Sequence, residues 1–249
     1  MESSLVIKLH KLSKTYRGSE KPAVENLSLE IAQGAFFGLL GPNGAGKTTS
    51  LSMLSGLLPP SSGSIEFQEL SWQQHARQIK KQLGVVPQDI ALHPLLNADE
   101  NLDYYGALMG LKRKDLTERK HNLLRQFGLY EHRKKLVKHY SGGMKRRLNL
   151  IAGILHTPSV VLLDEPTVGV DVQSRQVILD FLRTYHRMGN TIIYTSHYLE
   201  EAENLCSYVA IIDEGHIIEQ GSVADLLEQH KVEKLETLFL HLTGKALRD

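Results

Sequence analysis

The sequence predicts an α/β fold: a mostly parallel sheet, an antiparallel β part ahead of it, and a helical segment inserted into it. Three observations predict this. From residue 158 onward, 160–163, 173–188, 191–195, 198–205 and 209–212 read strand, helix, strand, helix, strand. Such alternation makes parallel strands joined by crossover helices. Near the start, Leu5, Ile7 and Leu9 alternate with Val6, Lys8 and His10, and Leu27, Leu29 and Ile31 alternate likewise. A period of two marks strands with one wet face, the antiparallel kind. Between about 90 and 157 strand signal is weak. There Leu102, Tyr105 and Leu108 share one helical face, as do Leu123, Leu124 and Phe127.

The elements follow in order. Residues 35–40 are a short apolar run, a buried parallel strand, and a helical stretch starts at Thr48. Ser61-Ser62-Gly63 is a turn before a strand at 64–67. Residues 72–83 read as helix, and Gly84-Val85-Val86-Pro87 as a strand closed by proline. After the insert and the alternating region, Asp213-Glu214-Gly215 turns the chain into a hairpin strand at 216–219, and Ser222 caps a short helix. Val232, Leu235, Leu238, Phe239 and Leu242 form a stripe expected to pack on the core. The predicted organisation is one domain over 1–249. Residues 1–89 and 158–227 form the core with its antiparallel part, 90–157 the helical subdomain and 228–249 a helical tail.

Composition bounds the function. Hydrophobic residues make up 41% of the 249, enough for a real core. No apolar run approaches the ~20 residues of a membrane helix. Met1-Glu2-Ser3-Ser4 carries no apolar leader, so a cytoplasmic chain is expected. The single Cys206 excludes an internal disulfide and reads as a small packing residue. A net charge of +1 gives no push toward nucleic acid. The basic triplets 112–114, 133–135 and 145–147 read mostly as solvated surface.

Chemistry concentrates in three motifs. Gly41-Pro42-Asn43-Gly44-Ala45-Gly46-Lys47-Thr48-Thr49 fits G-x-x-x-x-G-K-[ST] between a strand and a helix. Its glycines let backbone N–H groups turn around phosphate oxygens, and the helix N-terminus adds a positive dipole end. Lys47 supplies charge to the outer phosphates, and the Thr48 hydroxyl is a magnesium ligand. Second, Val160-Val161-Leu162-Leu163 ends in Asp164-Glu165. Asp164 is placed to hold magnesium through water, and Glu165, one residue on, to act as general base on an attacking water. Third, Ser141-Gly142-Gly143 opens a helix, a second anion site.

With these motifs, and with Tyr16, Gln88, Asp171 and His197 in order between and around them, the chain resembles the nucleotide-binding subunit of ATP-binding cassette (ABC) transporters over nearly its whole length. Residues 235–244 and Glu100-Asn101-Leu102 leading into Tyr104-Tyr105-Gly106 are similar to the subfamily exporting drugs, polysaccharides or lipid-linked sugars. The resemblance implies a P-loop NTPase core that hydrolyses ATP with Mg2+. It implies that Tyr16 stacks on adenine, that Gln88 joins magnesium or the attacking water, and that His197 donates to the γ-phosphate. It implies a head-to-tail dimer, a homodimer or a paired ABC subunit, in which Ser141 of one subunit meets the nucleotide of the other and Asp171 sits at the boundary. It also implies a transmembrane permease partner reached through the groove between core and insert, on the inner face of the membrane. Action on ribosomes or DNA is the alternative. Two departures stand out: Tyr140 and Met144 flank Ser-Gly-Gly where the commonest form has Leu and Gln, and Val168 replaces a serine.

Overall fold

The computed structural model describes residues 4–244; the expected leaderless start at 1–3 and the last five residues of the expected tail, 245–249, lie outside the described residues. Strands β1 (Leu5–Lys14), β2 (Val24–Ala32) and β3 (Phe36–Leu40) lead to α1 (Lys47–Leu54). Next come β4 (Ser62–Phe67), β5 (Leu70–Ser71), α2 (Trp72–Gln82) and β6 (Leu83–Val86). Helices α3 (Ala98–Leu108), α4 (Arg113–Gln126) and α5 (Gly142–Ile154) fill the insert. The chain then alternates through β7 (Val160–Asp164), α6 (Val172–Arg187), β8 (Thr191–Ser196), α7 (Leu199–Leu205) and β9 (Tyr208–Asp213). It ends in β10 (His216–Ser222), α8 (Val223–His230) and α9 (Leu235–Thr243).

Two sheets result, a four-stranded antiparallel one in the order β2-β1-β4-β5 and a six-stranded one in the order β10-β9-β3-β8-β7-β6. In the larger sheet β9, β3, β8, β7 and β6 run parallel, and β10 returns antiparallel at the edge. The β7 run is unbroken because both its faces are covered. Val161 and Leu163 join the apolar cluster shared with α5, α6 and α9, while Val160 and Leu162 join the one shared with the antiparallel sheet. In register, Leu40 lies beside Ser196 and Asp164 beside Thr195. The carboxyl ends of β3, β8 and β7 therefore open on one edge, where α/β sheets bind ligands.

Side chains mostly follow the sequence pattern. Leu235, Leu238 and Phe239 of α9 are fully buried against the core. Cys206 is buried over Gly38 of β3, where a Cβ would stand 2.9 Å from its sulfur, and burial pushes its thiol pKa far up. Three expectations are corrected. Strand β10 runs on to Ser222 because its pairing with β9 continues to Tyr208. Leu108 is 63% exposed although Leu102 is fully buried, because the end of α3 leaves the core and borders a groove. The two arginines of the third basic triplet are not simply solvated surface. Arg146 is buried, with its guanidinium donating to the carbonyls of Gln88 and Val168, and Arg147 donates to the Phe127 carbonyl at 2.7 Å. Burial holds both guanidinium pKa values below their ordinary range, and the carbonyls they meet satisfy donors that burial takes from water.

Candidate functional site

The glycine loop leaves β3 at Gly41 and enters α1 through Gly46. Gly44 and Gly46 have φ of +83° and +106°, a region L side chains avoid. A Cβ on Gly46 would stand 2.6 Å from the Ala23 carbonyl oxygen, and one on Gly41 would collide with that of Ile212. The loop is thus pressed between the start of β2 and the end of β9, with no room for a side chain at Gly41 or Gly46. Gly46 caps α1 without a side-chain hydrogen bond, and the first turn holds no acid. Such a terminus has backbone donors that no side chain satisfies, a ready anion site. Asn43, Gly44, Gly46, Lys47, Thr48 and Thr49 line a cleft of about 700 Å³ together with Gln88, Glu165, Val168 and His197.

The acids sit at the end of β7. The Thr195 hydroxyl donates to Asp164 Oδ1 at 2.7 Å, and the Glu165 backbone N–H donates to that same hydroxyl at 3.0 Å. One threonine so orients both acids. Glu165 itself adopts φ of +47°, a strained conformation for a non-glycine residue. This geometry turns its side chain onto a cluster of donors. Its carboxylate lies 3.4 Å from Lys47 Nζ and 3.3 Å from His197 Nδ1, and accepts from Gln88 Nε2 at 3.4 Å. Lys47 Nζ also donates to the carbonyls of Gly41 at 2.8 Å and Pro42 at 3.1 Å. Four predicted residues far apart in sequence, Lys47, Gln88, Glu165 and His197, therefore meet at one buried carboxylate.

Tyr16 stands at the mouth of the cleft, 46% exposed, its hydroxyl 3.2 Å from Thr49 Oγ1. Ser141 lies elsewhere. It caps α5 by accepting from the Met144 N–H at 3.2 Å, it is exposed, and it does not line the cleft. Gly143 packs against Asp171 and Ser174 with no space for a Cβ. Asp171 is itself the cap of α6, accepting from the Ser174 N–H at 2.8 Å and hydroxyl at 2.9 Å, and these bonds hold its carboxyl below the usual range. The sequence reading missed Thr195 and Arg146. The signal for Thr195 was a hydroxyl one residue before Ser196-His197 at a strand end. Arg146 had no signal, because charge in a basic triplet does not tell which side chain faces inward.

A larger groove of about 1140 Å³ lies away from the glycine loop. Its apolar lining includes Leu57, Leu83, Val85, Tyr105, Leu108 and Leu111, and its polar lining includes Arg77, Lys80 and Lys81 of α2 but no acid.

A family model described as "ABC transporter" matches residues 24–168. The chain is 42% identical over 221 residues to the linearmycin resistance ATP-binding protein LnrL of Bacillus subtilis, covering 89% of this chain and 70% of that one. It is 39% identical over 223 residues to the Nod factor export ATP-binding protein I of Cupriavidus metallidurans, covering 90% and 73%. A solved structure titled "Structure of ATP binding subunit of ABC transporter" superposes with a TM-score of 0.87 at 25% identity, covering 96% of this chain and 99% of that chain.

Proposed function

The chain belongs to the ABC transporter family, and from that premise we propose that it is the ATP-hydrolysing subunit of a membrane exporter. The observation that carries the reading is the convergence of Lys47, Gln88 and His197 on the Glu165 carboxylate, beside the glycine loop. ATP is the substrate. The backbone of Gly41 to Thr49 and the N-terminus of α1 bind its phosphates, and Lys47 leaves Glu165 to meet them. Tyr16 stacks on the base, which suits an exposed ring beside Thr49. Glu165, freed from Lys47, takes the proton of the attacking water as general base. His197 and Gln88 orient that water and the outer phosphate. Thr195 keeps Asp164 and Glu165 aimed throughout.

Thr48, Gln88 and Asp164 are the oxygen donors a magnesium ion takes, and that ion would neutralise charge between the phosphates.

Ser141, Gly142 and Gly143 do not line the cleft of their own chain. They serve the nucleotide of a second subunit, a copy of this chain or a paired relative. ATP between the two favours the closed pair, and loss of the γ-phosphate reopens it. Export is supported by relatives whose names specify drug resistance and Nod factor export. Those names lend nothing to action on ribosomes or DNA. No helix among the described residues is long and apolar enough to cross a membrane. In this reading, which rests on the family, a permease supplies the path and this chain works at the inner face. The 1140 Å³ groove is the surface for that permease, and its cations fit a segment carrying acid beside apolar anchors. The test is Glu165→Gln. ATP binding should persist while turnover falls by roughly 10²–10⁴-fold. Near-normal hydrolysis by the pure variant would exclude Glu165 as the base.

A further inference from the structure

A second buried carboxylate, unused in the mechanism above, lies behind the first. Glu201 of α7 is buried. Its Oε2 accepts the Thr167 hydroxyl at 2.7 Å and the Tyr194 hydroxyl, while its Oε1 lies 3.4 Å from Arg175 Nε. These partners come from different elements. Thr167 is in the loop two residues after Glu165, Tyr194 is on β8, and Arg175 is in the first turn of α6.

Arg175 continues the connection. Its guanidinium carbon is 4.8 Å from the centroid of the Tyr198 ring, and that ring is 4.3 Å from the imidazole of His197. His197 in turn is 3.3 Å from Glu165. The contacts close a circuit from Glu165 through His197, Tyr198, Arg175, Glu201 and Thr167 back to the loop that follows Glu165. Through Thr167 and Arg175 it grips the chain on both sides of Asp171, the cap of α6 with which the loop 166–171 ends.

We propose that Glu201 is a positioning residue that locks the His197 turn to the loop 166–171, so that His197 is aligned for hydrolysis only when that loop is in place. This rests on the reading of Glu165 and His197 above. A carboxylate suits the task. It accepts two hydroxyls at one oxygen and holds a cation at the other, a set no apolar residue could reproduce. A purely structural filler would need no charge, since a carboxylate is tolerated in the interior only with such partners.

The test uses the purified chain. Glu201→Gln keeps the shape and an oxygen for Thr167 and Tyr194 but turns an amide toward Arg175. Its kcat for ATP should fall about tenfold, the effect of losing one charge-assisted contact. KM for ATP should stay within about twofold, because no phosphate-binding group moves. Arg175→Lys should retain most of the activity that Arg175→Met loses. The decisive arm is the pair His197→Ala and Glu201→Gln. If Glu201 acts through His197, the double variant should turn over no more slowly than His197→Ala alone. Losses that multiply would overturn the proposal, as would unchanged kcat in Glu201→Gln. If Glu201→Gln loses turnover while His197→Ala does not, coupling through His197 is refuted and Glu165 is left standing. If Glu165→Gln itself hydrolyses ATP normally, the reading beneath the proposal fails instead. Since Glu201→Ala could unfold the chain, only the conservative variants are scored, with thermal midpoints measured beside them.

Discussion

Lys47 and Glu165 should stabilise the nucleotide-free protein as a pair, and Lys47→Met would reveal it. Their charged atoms are 3.4 Å apart and both side chains are nearly buried, at 5% and 7% exposure. At an effective dielectric of about 20, such charges attract by about 5 kcal/mol. Desolvation offsets much of that, yet removing one member of a buried pair typically costs about 3–5 kcal/mol because the other is left uncompensated. Glu165 keeps Gln88 and His197 as partners, so the low end applies, about 3 kcal/mol. For a chain of this size that lowers the unfolding midpoint by about 6–12 °C. Glu165→Gln removes the stranded charge, so the double variant should recover most of the loss and give a coupling energy of about 2–3 kcal/mol. Urea unfolding of the four proteins, free of nucleotide and phosphate, measures the cycle. Additive effects within about 0.5 kcal/mol would refute the reasoning. The same logic predicts tighter ATP binding by Glu165→Gln, since Glu165 no longer competes for Lys47.

Other outcomes follow from the same geometry. Ser141→Arg should leave ATP binding by the monomer intact yet abolish ATP-driven dimerisation in a Glu165→Gln background, read by light scattering; dimerisation at the parent level would remove its role in trans. His156 is held neutral by burial, with its pKa lowered. Its neutral form is favoured by folding, so its contribution is complete above about pH 6.5, the ordinary imidazole value, and fades as pH falls through the lower folded value. Stability should thus decline on acidification below that pH, and less steeply in His156→Gln. Lys80→Glu with Lys81→Glu should release the chain from membranes holding its permease, with ATP binding unaffected. Release by Leu108→Asp but not by these charge reversals would keep the groove and discard an acidic partner segment.

The sequence made some features legible because they are local. At Gly41 and Gly46 the loop passes against Ile212 and Ala23, where only a residue without a side chain fits, which ties the motif directly to its shape. Both faces of β7 are buried, so its unbroken aliphatic run announced a parallel strand. The long-range pairs were less readable. Arg146 looked like its neighbours in a basic triplet, and only the docking of α5 turned it onto the Gln88 and Val168 carbonyls. The Glu201 circuit joins positions from 165 to 201 through hydroxyls and a ring that carry no motif. Asp171 reads from the sequence as a boundary residue; its capping of α6 is visible within one chain, whereas a boundary is a property of two.

The burial of Cys206 has a practical consequence. Its sulfur is sealed over β3 and its thiolate is strongly disfavoured, so thiol reagents have no native target on the folded chain. A cysteine introduced at Ser141 or at Leu108, both exposed, would then be the single reactive thiol. Spin labels, fluorophores or cross-linkers could report subunit closure and permease docking without first stripping the protein of its own cysteine.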